Sequence, residues 1–105
     1  MQVFREGGCW VFLLDERLSA TNAQELRKLF KEAQAQDEGP VVVDMSRLQY
    51  IDSSGLGALV FLLRNSSGRV RFCCVSPKIQ DMLELAKLDK FFPIYPSREE
   101  AIKGG

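Results

Sequence analysis

Asp52-Ser53-Ser54-Gly55 places a carboxylate, two hydroxyls and a glycine directly before an apolar run, Leu56 to Leu63, that reads as a helix. A hydroxyl at such a point faces unpaired backbone N–H groups and the positive end of the helix dipole, where a phosphate is well accommodated. The chemistry this implies is phosphoryl acceptance, with Ser53 as the modified residue. Asp52, Ser53 and Ser54 are also good helix N-caps, so a plain structural start to the helix fits the same spacing. Gly55 and Gly57 each cost such a helix up to about 1 kcal/mol relative to alanine, which points to a close approach by another molecule or by the chain's own sheet.

The segment is set among elements that alternate. Val3 to Glu6 and Cys9 to Leu14 flank Gly7-Gly8, a hairpin signal. From Ser19 to Gln36, Ala23, Leu26, Phe30 and Ala33 recur at helical spacing, with Ser19 or Thr21 as expected cap and Thr21 with Gln24 as a capping box. Val41 to Asp44 is a β-branched run without polar alternation, expected to be a central strand covered on both faces. Ser46 to Ile51 reads as a connection with Leu48 and Ile51 tucked inward, and the helix after Gly55 runs to about Asn65. Val70 to Val75 is a further strand. Ser76-Pro77 opens a helix with Ile79, Met82, Leu83 and Ala86 on one face. Phe91 to Tyr95 is a last short strand, and Ser97 with Glu100 caps a brief terminal helix. This order predicts one α/β domain over residues 1–105, a mixed β-sheet whose N-terminal strand is antiparallel and whose remaining strands are mainly parallel, flanked by about four helices.

The helix from Leu56 is apolar on almost every side, whereas one lying on a single sheet face needs only one apolar stripe. Either a neighbouring helix or a partner protein covers the surplus, and Phe61 is the residue expected to lie outside the core.

Composition narrows the function. Of 105 residues, 46% are apolar and 27% charged, and fourteen basic side chains balance fourteen acidic ones, so no long-range field favours nucleic acid or an anionic membrane. Arg64, Arg69 and Arg71 read as a solvated surface. No apolar run reaches the roughly 20 residues that span a bilayer, and no secretory leader is expected. The absence of histidine removes Ser-His-Asp and Cys-His nucleophile activation and the usual His-containing zinc sites. Cys9, Cys73 and Cys74 are expected to be small buried hydrophobes in a reducing cytoplasm, Cys73 and Cys74 pointing to opposite faces of a strand. Neither metal nor cofactor is expected.

The stretch from Val41 through Asp44, Ile51, Asp52-Ser53-Ser54-Gly55 and Gly57 resembles the signature of STAS domains, and in particular bacterial anti-sigma factor antagonists. The likeness extends over nearly the whole chain, including Val75-Ser76-Pro77-Lys78-Ile79. The turn Asn65 to Arg69 is shorter than in those antagonists, and Asp15-Glu16-Arg17-Leu18-Ser19 replaces a Gly-Glu-Leu-Asp type of lead into the first helix. The resemblance implies a cytoplasmic, non-enzymatic partner switch. Ser53 is the phosphoacceptor, and Asp52, Ser53, Ser54, Gly55, Leu56, Gly57 and Phe61 form the partner surface. The implied partners are an anti-sigma factor that is also an ATP-dependent serine kinase and a metal-dependent, PP2C-type phosphatase. Some small STAS proteins are instead subunits of membrane transport complexes, which supplies the alternative of constitutive docking without phosphorylation.

Overall fold

The computed structural model describes residues 1–104. Its elements are β1 (Gln2–Glu6), β2 (Cys9–Leu13), β3 (Arg17–Leu18), α1 (Ala23–Gln36), β4 (Val41–Asp44), β5 (Tyr50–Ile51), α2 (Ser53–Arg64), β6 (Val70–Cys73), α3 (Pro77–Leu85), β7 (Ile94–Tyr95) and α4 (Arg98–Lys103). Five strands form one sheet in the order β1-β2-β4-β6-β7. β1 and β2 are antiparallel across the turn at Gly7 and Gly8, whose φ values of 59° and 81° suit glycine, and every later neighbour pair is parallel. β4 is central, as its uninterrupted valines predict.

Alternation along the strands sorts their side chains between two cores. Phe12, Val41, Val43, Val70 and Phe72 pack with Leu26 and Phe30 of α1, Leu59 and Leu62 of α2, and Ile79 and Leu83 of α3. On the other face Cys9, Val11, Val42 and Cys73 meet Ala101 of α4. Three helices therefore cover one face and a single short helix the other. Ser76 caps α3 by accepting from Ile79 N–H, and Ser97 caps α4 by accepting from Glu100 N–H, so both expected caps hold.

Several local expectations are corrected. Neither Ser19 nor Thr21 caps α1, which begins at Ala23 after a turn in which Ala23 N–H donates to the Ser19 carbonyl. Asn22 stands at the cap position without capping, because its side chain is engaged behind it: Oδ1 accepts from Ser19 N–H and Nδ2 donates to the Arg17 carbonyl. The 46–51 connection is not simply a loop: Tyr50-Ile51 pairs in parallel with Arg17-Leu18 as a separate two-stranded ladder. The last strand is only Ile94-Tyr95, since Phe92 is buried and stacks on Phe72 at 4.5 Å while Phe91 is exposed. Ala86, at the exposed end of α3, does not join its buried face. Of Arg64, Arg69 and Arg71, read as a solvated surface, only Arg64 is exposed: half-buried Arg71 donates to the Ala101 and Ile102 carbonyls, and Arg69 reaches Glu38.

Candidate functional site

Burial of Leu18 and Ile51 fixes the β3–β5 ladder, and the ladder delivers the chain to the start of α2. There the extended backbone of Asp52 ends and the helix begins at Ser53. One Asp52 carboxylate oxygen accepts the Gly55 N–H at 2.9 Å and the other accepts the Ala20 N–H at 3.3 Å. Asp52 is thus the cap. It satisfies one of the unpaired donors of the first turn and ties α2 to the turn before α1.

With capping assigned to Asp52, Ser53 and Ser54 are left exposed at the first two helical positions. Among the described residues neither hydroxyl has a hydrogen-bond partner within the chain. The Ser53 side chain is therefore open to solvent at the first position of a twelve-residue helix, the end at which the helix dipole favours negative charge.

The glycines divide in role. Gly55 is buried, and a Cβ there would sit 2.3 Å from the Leu18 carbonyl oxygen and 2.8 Å from Ile51 Cγ1. The close approach that the sequence implied at this position is made within the chain, so the fold itself requires glycine at 55. Gly57 is half-buried, and a Cβ there would meet only the Arg27 guanidinium at 3.2 Å. Leu56, also half-buried, packs against the main core.

Phe61 does not project away from the core. Its ring lies edge-on to Phe30 of α1, centroids 6.2 Å apart, with Arg27 and Lys31 over it at 5.6 and 5.3 Å. α1 covers one flank of α2. Val60 and Leu63 share a shallow groove with Leu88, Phe91 and Phe92 on the other. Neighbours in the same chain thus account for most of the all-round apolarity of α2, because it is the middle helix of its layer.

Two groups near the site were not evident from the sequence. Arg17 lies over the exposed Tyr50 ring at 4.5 Å, two residues before Asp52, and shares a groove with Arg47, Asp15 and Glu16. Arg27 and Lys31 fall on the α1 edge that meets Phe61. The helical spacing of Arg27 and Lys31 was visible, but their placement depended on α1 packing beside α2.

Cys9 and Cys73 are buried as expected, but at the carboxyl end of β4 Cys74 is only half-buried and does not point to the face opposite Cys73. Cys74 has φ +65°, which ends β6 and turns its side chain into the minor core alongside Cys73. Both sulfurs and a carboxylate oxygen of buried Asp44 lie within 4.8 Å of one another. Burial pushes both thiols above their ordinary range, with the nearby Asp44 carboxylate adding to the effect.

A mixed sheet that presents an aspartate-capped helix with an exposed serine at its first position defines a small α/β domain. The chain belongs to the STAS domain family, whose profile matches residues 1–101. A Bordetella bronchiseptica protein provisionally named anti-sigma factor antagonist BtrV is 29% identical over 97 residues, which are 90% of this chain and 84% of that protein. The anti-sigma F factor antagonist of Paenibacillus polymyxa is 32% identical over 65 residues, 59% of this chain and 56% of that protein. The solved anti-sigma-factor antagonist (STAS) domain protein from Planctomyces limnophilus has the same fold, with a TM-score of 0.85 at 22% identity over 98% of this chain and 95% of that one. Among the described residues no helix is long and apolar enough to cross a membrane.

Proposed function

We propose that this protein is an anti-sigma factor antagonist working as a phosphorylation-controlled partner switch. With Ser53 unmodified it binds an anti-sigma factor that is also a serine kinase. The Ser53 hydroxyl gives up its proton and takes the γ-phosphoryl group of the kinase's ATP, ADP leaves, and the complex separates. A PP2C-type phosphatase restores the serine, water supplying the oxygen of the released inorganic phosphate. The protein itself catalyses neither step.

The observation that carries this reading is the division of labour at α2: Asp52 caps, and Ser53, with no structural duty, is exposed. A phosphate there brings about −1.5 to −2 charges beside the Asp52 carboxylate. Against an acidic partner group at roughly 5 Å, each unit charge costs about 1 to 3 kcal/mol at effective dielectrics between those of water and a protein surface. A tenfold loss of affinity needs only about 1.4 kcal/mol. The helix N-terminus meanwhile stabilises the added charge, so release need not involve unfolding.

Incubation with the cognate kinase and ATP, followed by mapping of the phosphate, tests the proposal. The expected result is phosphate on Ser53, tight binding by Ser53→Ala and weak binding by Ser53→Asp. Phosphate elsewhere only, or equal binding by the two variants, overturns it. Recovery of membrane transport subunits from native cells, with no kinase, would favour constitutive docking in a transport complex instead.

A further inference from the structure

The left-handed backbone of Cys74 requires a reason. A non-glycine residue at φ +65° is strained, and a residue continuing β6 would have pointed into the main core. The observed turn sets the Cys74 sulfur beside that of Cys73, under the end of β4 where Asp44 is 4% exposed. We propose that Cys73, Cys74 and Asp44 form a binding site for a thiophilic d10 divalent cation of the zinc and cadmium class.

The donor set suits that class. Two sulfurs and one carboxylate oxygen are three of the four ligands of a tetrahedral site, leaving one position for water. With metal–sulfur bonds of about 2.3 Å, sulfurs in a tetrahedral site stand roughly 3.8 Å apart. The donor atoms here all lie within 4.8 Å, so closing onto an ion requires shifts of about an ångström or less. Adjacent cysteines ordinarily cannot chelate from one strand, because their side chains diverge, and the left-handed turn at Cys74 removes that obstacle.

The surroundings also suit a cation. Asp44 accepts the Ser46 N–H on one oxygen at 2.9 Å and an Arg98 N–H on the other at 3.2 Å, and each oxygen keeps a lone pair. Arg98 is also 3.5 Å from Glu6, so a second carboxylate is in place should the ion draw Asp44 away. Two thiolates, one carboxylate and a divalent ion carry a net charge of −1, which the Arg98 guanidinium offsets. Each thiol loses its proton to solvent as its metal–sulfur bond forms, so one ion releases two protons.

The test is a titration of the reduced full chain with cadmium, followed by the ultraviolet thiolate-to-metal charge-transfer band, and then displacement by zinc. The expected result is a band saturating at one ion per chain and bleached by zinc. Cys74→Ala and Cys73→Ser should abolish it. Asp44→Asn should weaken binding by at least about tenfold. Cys9→Ser, whose sulfur bonds instead to the Ile102 carbonyl, should leave the band unchanged. Far-ultraviolet circular dichroism checks that each variant is folded, and the half-buried Cys74 position tolerates serine as a second variant. No band in the unmodified chain, or an undiminished band in folded Cys74→Ala and Cys74→Ser, overturns the proposal.

Discussion

Asp52 and Gly55 are joined by an N–H···O bond of 2.9 Å that closes the first turn of α2 over Ser53 and Ser54 without using either hydroxyl. The residue that caps and the exposed serine next to it sit side by side, and only the first is used to hold the helix.

That separation predicts unequal costs on substitution. Asp52→Ala should lose about 1 kcal/mol, up to roughly 2, since it removes both the cap and the bond to Ala20. Ser53→Ala should change stability by no more than about 0.5 kcal/mol. Urea unfolding of the two variants measures the difference, and equal losses would mean that Ser53 shares the capping role.

Gly55 and Gly57 should respond in opposite directions. The Cβ of Gly55→Ala meets the Leu18 carbonyl, a backbone atom held in the β3–β5 ladder, so a loss toward the upper end of about 1–3 kcal/mol is expected. The Cβ of Gly57→Ala meets only Nη2 at the far end of the Arg27 side chain, at 3.2 Å, a contact a small side-chain shift relieves, while the helix gains up to about 1 kcal/mol in propensity. Midpoints of denaturant unfolding check both signs. A stable Gly55→Ala would show that α2 can shift away from Leu18.

How much of this the sequence carried depends on how local each cause is. The hairpin at Gly7-Gly8, the caps at Ser76 and Ser97 and the central valines of β4 were legible because neighbouring residues decide them. Asp52 was visible as one of three cap candidates, but the choice among them came from the Ala20 N–H, supplied from 32 residues away. The β3–β5 ladder was missed because two residues on each side give no periodicity to read. Cys74 was misplaced because alternation was carried one residue past the end of β6, and only coordinates reveal a positive φ at a residue other than glycine. Phe61 was read as surplus because coverage by α1 is a tertiary fact.

Phe61 should behave as a packed residue. Half-buried against Phe30 with two cations over its face, it should cost about 2 kcal/mol when replaced by alanine, less than the 3–5 kcal/mol of a fully buried phenylalanine. Phe61→Leu, which keeps most of the volume, should recover at least half of that loss. Thermal or urea unfolding of both variants is the measurement, and a loss below about 0.5 kcal/mol for alanine would return Phe61 to the exposed surface.

The end of α3 offers a stabilising change remote from Ser53. Leu88 N–H donates to the Leu83 carbonyl at 2.9 Å and Lys87 N–H to the Glu84 carbonyl at 3.0 Å, the paired bonds of a Schellman motif. Lys87 occupies its left-handed position at φ +58°, where glycine carries no Cβ penalty. The lysine side chain is exposed, so its removal forfeits little packing, and Leu88 keeps its place against the main core. Lys87→Gly should therefore raise stability by about 1 kcal/mol, net of the extra backbone freedom it gives the unfolded chain. For a domain of this size that is a rise in Tm of about 4–8 °C. Lys87→Ala, which retains a Cβ at the same φ, should give no such gain, and a matching rise in both variants would trace the effect to the lysine's charge rather than to the backbone.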